Sequence, residues 1–132
     1  TAVWWILGIL AVLFLVYLWL IAPAGKKPDD GALKGWLYAH RGLHDGNHQV
    51  AENSLEAFRR AVEAGYGMEL DVQLTADDQL VVFHDKNLKR VCGVDKDLYT
   101  QTYAQLMEYP LPDGSKIPLF SEVLALVDGK TP

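Results

Sequence analysis

The first two dozen residues of this 132-residue chain limit its structure more than any other segment, because they form an apolar run without a charge. From Ala2 to Ala22 the sequence is rich in Leu, Ile, Val and Trp, and it contains no Asp, Glu, Lys or Arg. As a helix, a run of this length spans roughly 30 Å, which matches the hydrocarbon core of a bilayer. We therefore predict a transmembrane helix over residues 1–24, followed by a linker over 25–34.

Two other uses of the apolar run remain open. A cleaved signal peptide is one of them, since Ala22-Pro23-Ala24 resembles a small-residue cleavage site. However, no basic segment precedes the run, and it is longer than the apolar part of a typical signal peptide. A buried helix of a soluble domain is the other, but no polar face interrupts the apolar residues. These comparisons favour a retained, single-pass membrane anchor, with the membrane itself as a partner.

The charged residues bear on orientation and on partners. Lys26 and Lys27 follow the apolar run, so the positive-inside rule weakly favours the cytoplasm for the rest of the chain. The chain opens with Thr1 rather than Met, so an extracytoplasmic domain stays open as an alternative. The formal net charge is −5, and every charged residue follows position 25. Because nucleic acids bind basic surfaces, we expect no nucleic-acid partner.

Strand and helix patterns alternate through the remaining residues. The predicted strands are Trp36–His40, Tyr66–Thr75 and Leu80–His84. Three helices are predicted to begin at the N-cap residues Asn53, Thr102 and Ser121, and the first is predicted to end at Gly65. A strand–helix–strand order with short links is typical of an α/β sheet.

Residues with catalytic chemistry accompany all three predicted strands. His40 and Arg41 end the first strand, Glu69 and Asp71 alternate along the second, and His84 ends the third. Alternate residues of a strand point to one face, so the two carboxylates would lie about 7 Å apart and attract a divalent cation. Carboxylates that hold a cation, an arginine that holds phosphate and histidines that move protons together indicate metal-assisted phosphodiester cleavage.

Each of these signals has an ordinary structural explanation when it is taken alone. A pair of acidic residues is common on a solvent-exposed face of a sheet, and a lone histidine is more often a hydrogen-bonded structural residue than a catalytic one. His84 followed by Asp85 is also consistent with a simple strand end and turn. The loop histidines His44 and His48 are interpreted as solvated. The coincidence of one coherent residue set on three strands favours the catalytic interpretation.

Four motifs follow one another along the chain: His40-Arg41-Gly42, Glu52-Asn53-Ser54, Glu69-x-Asp71-Val72 and Val82-x-His84-Asp85, with Leu88-x-Arg90 after them. In this order they resemble the glycerophosphodiester phosphodiesterase family over roughly Tyr38 to Val127. The resemblance implies a TIM (β/α)8 barrel, of which residues 35–132 would form the N-terminal portion. It also implies hydrolysis of glycerophosphodiesters to glycerol 3-phosphate and an alcohol, with Mg²⁺ or Ca²⁺ as the cofactor.

The resemblance also assigns roles to six residues. They are His40 and His84 as the general acid–base pair, Arg41 as the phosphate ligand, Glu69 and Asp71 as metal ligands, and Glu52 as a metal or substrate neighbour. Family members supply a further acidic metal ligand from a later strand, whereas this chain stops at Pro132, where the next strand is expected. A complete barrel needs about 250 residues. We therefore expect a C-terminally truncated member, and we expect residues 33–132 alone to be unstable and inactive.

Two alternatives to this function are kept. The first is a lysophospholipase D-type hydrolase, in which the anchor holds the barrel against membrane lysolipids. The second is a non-catalytic, membrane-anchored protein that binds phosphodiesters. The presence of both histidines beside Arg41 disfavours the second alternative, because a binding protein has little use for two proton-transfer groups.

Overall fold

The structure is a computed structural model that describes residues 2–23, 25 and 29–132. Contacts divide the chain into two compact units, of which the first ends at Gly31 and the second spans Ala32–Pro132. Lys26 and Lys27, on which the predicted orientation rests, lie outside the described residues, and so does Ala24 of the cleavage-site alternative.

The first unit contains one long helix, α1 (Ala2–Leu20), which occupies the apolar run. It has 19 residues with a mean hydropathy of 2.5, and none of them is buried. This length and composition suffice to cross a bilayer, although signal sequences and core helices of soluble proteins share both properties. An apolar helix is thus present where the sequence predicts one, and its use as a membrane anchor stays a prediction.

The second unit begins with a strand–helix–strand crossover. It consists of β1 (Tyr38–His40), α2 (Leu55–Glu63) and β2 (Gly67–Glu69). The two strands pair in parallel, with Ala39 opposite Met68 and His40 opposite Glu69. Parallel strands need such a crossover because the end of the first strand and the start of the second lie at opposite edges of the sheet, and a helix is its usual form. The α/β class predicted from the sequence is confirmed by this unit.

The start of α2 differs from the prediction by one residue. The hydroxyl of Ser54 accepts a hydrogen bond from the N–H of Ala57 at 3.1 Å, so Ser54 is the N-cap. Asn53 cannot fill that role because its φ is 55°, whereas an N-cap residue is extended. Gly65 follows the helix with a φ of 71°, as predicted for a glycine just beyond the C-cap.

The predicted second strand is broken in the structure. β2 ends at Glu69, and a new strand, β3 (Val72–Leu74), pairs with β4 (Leu80–Val82) in an antiparallel hairpin. The prediction of one continuous strand over Tyr66–Thr75 is therefore wrong. The reason is a change of partner, since β2 pairs with β1 and β3 pairs with β4. β4 is also shorter than predicted, and His84 lies two residues beyond its end.

Short helices complete the second unit. They are α3 (Lys89–Cys92), a 3₁₀ turn (Leu98–Thr100), α4 (Tyr103–Leu106) and α5 (Phe120–Val127). Thr102 and Gln105 form the capping box predicted for α4. Ser121 is not the N-cap of α5, because that helix begins after Leu119, whose N–H donates to the carboxylate of Glu122 at 2.8 Å.

Two apolar clusters form the interior of the second unit, and β4 separates them. Val82 packs with Phe58 of α2 and Val123 of α5. Val81 and Phe83 belong to the other cluster, which includes residues of α3 and α4. Successive side chains of a strand point to opposite faces, so β4 is buried on both sides. The short apolar run before His84 is therefore held firmly in the core.

Candidate active site

The end of β1 places two of the predicted site residues side by side. His40 is the last residue of the strand, and Arg41 follows with a left-handed φ of 59°. This conformation costs an arginine roughly 1–2 kcal/mol. Backbone hydrogen bonds hold it, because the N–H of Arg41 donates to the carbonyl of Glu69 at 2.9 Å and the N–H of Asn53 donates to the carbonyl of Arg41 at 2.9 Å. The main chain of Arg41 is thus fixed from both sides.

His40 and Glu69 are neighbours across the parallel strand pair. Nε2 of His40 lies 3.7 Å from Oε2 of Glu69, and their side chains are 70% and 48% exposed. The imidazole therefore lies at the open end of the strands, where solvent or a substrate can reach it. This position suits a group that exchanges protons.

Arg41 is bound to a buried carboxylate. Its Nη1 donates to Oε1 of Glu52 at 2.9 Å, and the Glu52 side chain is 7% exposed. Two further hydrogen bonds reach Glu52 from Arg90, at 2.6 and 3.0 Å, and one comes from Asn47 at 3.1 Å. These hydrogen bonds, first of all those from Arg90, lower the pKa of Glu52 from 4.5 to about 2. Glu52 is therefore ionised and fully paired at neutral pH.

Asp71 lies on the other side of Arg41. Its Oδ2 is 3.7 Å from Nε of Arg41 and accepts a hydrogen bond from the side-chain amide of Asn53 at 3.2 Å. The Asp71 side chain is 26% exposed. Its backbone carbonyl accepts a hydrogen bond from the N–H of Phe83 at 2.9 Å, which brings the chain beyond β4 to this place. Asp71 thus connects the segment of His84 with the arginine.

His84 is oriented by the next residue in the chain. Its Nδ1 lies 2.6 Å from Oδ1 of Asp85, and its side chain is 43% exposed. Arg90 donates to the same carboxylate at 2.6 and 2.9 Å and, with the His84 contact, lowers the pKa of Asp85 from 3.8 to about 2. An ionised carboxylate only accepts hydrogen bonds, so Nδ1 of His84 carries a proton. Nε2 is then the nitrogen that can exchange a proton with a substrate.

Gln73 of β3 fixes the backbone that carries His84. Its amide nitrogen lies 2.7, 3.0 and 2.9 Å from the carbonyl oxygens of Phe83, His84 and Asp85. These residues follow β4, and the N–H of Phe83 is already bonded to the carbonyl of Asp71. The two N–H groups of the Gln73 amide, shared among these carbonyls, therefore hold the main chain beneath the imidazole against β3.

A continuous chain of contacts joins the six residues that the sequence predicts for the site. In order, its members are His40, Glu69, Arg41, Glu52, Arg90, Asp85 and His84, and Asp71 branches from Arg41; the link from Glu69 to Arg41 runs through the backbone. The structure therefore brings the predicted residues together, while their roles stay predictions. Glu69 and Asp71 do not share a strand face, because the strand break separates them. His44 and His48 lie in the loop after β1, outside this chain of contacts.

Sequence reasoning placed neither Arg90 nor Gln73 in the site, and it gave Asn53 only the role of a helix N-cap. Arg90 and Asn53 lie within the motifs that carry the resemblance, so a signal for them was present. Asp85 received no role of its own beyond the alternative of a turn after the strand, although its carboxylate contacts both His84 and Arg90. Gln73 lies two residues after Asp71, but nothing in the local pattern shows that its amide reaches the backbone of β4.

The residues around Asp71 fit a divalent cation in type, although they do not complete a site. Within the part of the chain that the structure describes, no three His, Cys, Asp or Glu side chains are arranged to hold a metal. Glu69 and Asp71 supply two partly exposed carboxylates. Beside Asp71, the buried amide oxygen of Asn53 has no hydrogen-bond partner among the described residues. Such oxygen donors suit Mg²⁺ or Ca²⁺, and water commonly fills the remaining positions around Mg²⁺.

Comparison with known proteins identifies relatives of this chain. The profile of the glycerophosphoryl diester phosphodiesterase family matches residues 40–131, which include all the motifs described above. The chain belongs to this family. It is 39% identical over 99 residues to a glycerophosphodiester phosphodiesterase of Bacillus altitudinis, covering 69% of this chain and 39% of that protein. It is 43% identical over 72 residues to a lysophospholipase D of Homo sapiens, covering 54% of this chain and 22% of that protein.

Solved structures of family members share the fold. A glycerophosphodiester phosphodiesterase from Thermotoga maritima is 38% identical with a TM-score of 0.61, over 72% of this chain and 40% of that chain. A phosphodiesterase from Oleispira antarctica, solved in complex with the product sn-glycerol-3-phosphate, is 27% identical with a TM-score of 0.64, over 72% of this chain and 40% of that chain. The second unit is thus the N-terminal part of a TIM barrel, as predicted. The chain spans about two fifths of the length of these relatives.

Proposed function

We propose that the protein containing this chain hydrolyses glycerophosphodiesters to glycerol 3-phosphate and an alcohol, and that it uses Mg²⁺ or Ca²⁺. The observation that carries the proposal is the continuous chain of contacts from His40 to His84 in a member of this family. Arg41 in that chain supplies the positive charge a phosphodiester needs, and the two histidines at its ends supply proton transfer. The product named for the Oleispira antarctica structure, sn-glycerol-3-phosphate, is the same as the product proposed here.

The proposed mechanism assigns a separate task to each side chain. Arg41 binds a phosphate oxygen and neutralises the charge that develops there. One histidine removes a proton from the attacking hydroxyl, which is water or a hydroxyl of the substrate's own glycerol, and the other protonates the leaving alcohol. Attack by water gives glycerol 3-phosphate directly, whereas attack by the glycerol hydroxyl gives a cyclic phosphate that a water molecule then opens to glycerol 3-phosphate. Asp85 orients the ring of His84, and Glu69 lies beside the ring of His40. A cation held by Glu69 and Asp71 would supply further stabilisation of the phosphate charge.

An assay with glycerophosphocholine tests this proposal. The purified full-length protein is incubated with the diester and Mg²⁺ or Ca²⁺, and the release of glycerol 3-phosphate and choline is measured. We expect equal amounts of both products. If no product forms from this or any other glycerophosphodiester, the proposed function is wrong, and a non-catalytic phosphodiester-binding protein becomes the better description.

A lysophospholipase D activity is a second candidate, and two observations favour it. The human relative carries that name, and α1 is apolar enough to hold the domain against lipid. A lysophospholipid is itself a glycerophosphodiester, so the same residues would serve both substrates. The two activities are separated by comparing kcat/KM for soluble glycerophosphocholine with kcat/KM for lysophosphatidylcholine in vesicles. A preference for the lysolipid of tenfold or more would favour the second candidate.

We also propose that α1 anchors the protein in a membrane and that the catalytic domain faces the cytoplasm. All of its large apolar side chains are exposed within its own unit, which leaves lipid as their natural environment. Extraction of membranes with alkaline carbonate should leave the full-length protein in the pellet and release a variant that lacks residues 2–22. A mature protein whose N-terminus begins near Gly25 would instead identify a cleaved signal peptide.

A further inference from the structure

The guanidinium of Arg90 binds two carboxylates that come from different parts of the fold. Its Nη1 and Nη2 donate to the two oxygens of Glu52 at 3.0 and 2.6 Å. Its Nε and Nη2 donate to the two oxygens of Asp85 at 2.6 and 2.9 Å. Arg90 therefore uses four of its five N–H groups on two bidentate contacts, which is the strongest geometry available to an arginine–carboxylate pair.

The first contact determines the environment of Arg41. Glu52 is buried, and its Oε1 accepts hydrogen bonds from both arginines, at 2.9 Å from Arg41 and 2.6 Å from Arg90. A carboxylate shared by two guanidinium groups cannot move without breaking one of the contacts. The direction of the Arg41 side chain thus depends on a residue that lies 38 positions after Glu52 in the sequence.

The second contact determines the environment of His84. Asp85 binds Nδ1 of His84 through the same oxygen that accepts a hydrogen bond from Nη2 of Arg90. Without Arg90, this carboxylate would be free to rotate away from the ring or to bind water. The orientation of the imidazole therefore depends on the position of Arg90 as well.

We propose that Arg90 is a positioning residue that holds Arg41 and His84 in one fixed arrangement, through Glu52 and Asp85 respectively. The proposal rests on the hydrolytic function given above and extends it. Arg90 acts without contacting the phosphate, because four of its five N–H groups are engaged by the two carboxylates. Glu52, in this view, is a support for Arg41 whose two oxygens are both occupied by arginines.

Arg59 of α2 provides a matched control. It also binds two carboxylates, those of Glu56 and Glu63, and its side chain is 47% exposed, the same fraction as that of Arg90. Its partners, however, lie on its own helix and contact no residue of the candidate site. A substitution of Arg59 therefore reports the general effect of losing an arginine with two carboxylate partners.

The experiment compares Arg90→Lys with Arg59→Lys in the full-length protein, with glycerophosphocholine as substrate. A lysine keeps the charge but cannot bind two carboxylates in bidentate form. Displacement of catalytic groups by about 1 Å can cost 10²-fold in rate, so we expect kcat/KM to fall by roughly 10²-fold in Arg90→Lys. Arg59→Lys should stay within twofold of the parent. Activity is measured at a temperature at which circular dichroism shows both variants fully folded.

Two single-link variants distinguish positioning from direct binding of substrate. Glu52→Gln should mainly raise KM, because it releases Arg41, whereas Asp85→Asn should mainly lower kcat, because it releases His84. The double variant Glu52→Gln/Asp85→Asn lacks both contacts through which Arg90 acts. Adding Arg90→Lys to it should therefore lower kcat/KM by less than a further threefold. A full further 10²-fold loss would mean that Arg90 contacts the substrate itself and would overturn the proposal.

The remaining outcomes are also decisive. An active parent with parental kcat/KM in Arg90→Lys would overturn the positioning role and leave the proposed function intact. An inactive parent would contradict the proposed function, and the positioning role with it. If Arg90→Lys does not fold, Asp85→Asn alone tests the proposal, because Asp85 is more exposed than Glu52 and its substitution disturbs the fold less. A kcat reduced at least tenfold with KM unchanged would then support the proposal, and a parental kcat would overturn it.

Discussion

His84 Nδ1 and Asp85 Oδ1 lie 2.6 Å apart, so the residue that follows the histidine in the chain also orients its ring. Two residues that are adjacent in a strand point to opposite faces, but these two lie beyond β4, where the backbone is free of that constraint. The carbonyl contacts of Gln73 hold this irregular segment in place. The imidazole is therefore held by its own neighbour and supported from β3.

The histidines give the first prediction. His40→Ala and His84→Ala should each lower kcat by at least roughly 10²-fold, the usual contribution of general acid–base catalysis. Both side chains are substantially exposed, so the melting temperature should change little. His48→Ala is the control, because that loop histidine is exposed and lies outside the site. Steady-state kinetics with glycerophosphocholine would contradict the assignment if either variant kept a parental rate.

The two candidate metal ligands give the second prediction. Glu69→Gln and Asp71→Asn keep the side-chain shape but remove charge, so both should weaken Mg²⁺ or Ca²⁺ binding in titration calorimetry and lower activity in parallel. Glu63→Gln, which removes an exposed carboxylate from α2, should change neither quantity. Chelation with EDTA should abolish hydrolysis, and added cation should restore it. Full activity after exhaustive chelation would exclude the metal requirement.

The buried carboxylate of Glu52 gives a prediction about pH. Its pKa in the folded chain is about 2, against 4.5 for the unfolded value, so the ionised form favours folding. This stabilisation is complete above the unfolded pKa and disappears as the pH falls through the folded one. It corresponds to about 3 kcal/mol at pH 7. The free energy of unfolding of the parent should therefore decrease as the pH falls from 4.5 to 2. In Glu52→Gln, which has no carboxylate at this position, the decrease over the same pH range should be smaller.

Urea denaturation across this pH range measures the effect. Glu56→Gln is the control, because Glu56 also binds two arginines but does so on the surface of α2. Its substitution should change stability only slightly, as for other exposed ion pairs. Equal pH dependence in the parent and in Glu52→Gln would show that the buried network does not stabilise the fold.

Gly42 gives a prediction about the turn beside the site. Its φ is 80°, and an added Cβ would lie 2.8 Å from Cβ of Ala57 and 3.0 Å from the Ala57 carbonyl carbon. Gly42→Ala should lower the free energy of unfolding by roughly 3 kcal/mol, because strain and overlap act together. Gly65→Ala, with a similar φ but no atom within 4 Å, should cost roughly 1 kcal/mol. Equal losses in thermal or urea unfolding would show that the contact with Ala57 is unimportant.

Local features of the chain were accessible from the sequence. The apolar run predicts α1, and Thr102 with Gln105 predicts the capping box of α4, because both depend on residues close together in the chain. The order of the motifs around His40, Glu69 and His84 predicts the family and the residues of the candidate site. These signals are carried by residue types and short spacings, so no three-dimensional information is needed to see them.

The predictions that failed concern longer-range choices. The alternating pattern over Tyr66–Thr75 fits one strand, but the chain changes its pairing partner at Leu70 and Asp71. Asn53 is a residue type that is favoured at the N-cap, but its backbone is left-handed, and Ser54 occupies the N-cap position instead. In both cases several local structures satisfy the same sequence pattern, and contacts with other segments decide between them.

What the sequence by itself determined is therefore the chemistry of this protein's site: two histidines, an arginine and the carboxylates, in an order that identifies the family. What the tertiary structure decided is how these groups support one another. The left-handed turn at Arg41 depends on backbone hydrogen bonds with two other segments. Arg90 binds Glu52, which lies 38 positions before it, and Asp85, which lies 5 positions before it. Such contacts form only when the core around β4 brings those segments together, because no local pattern specifies which distant partner a side chain will meet.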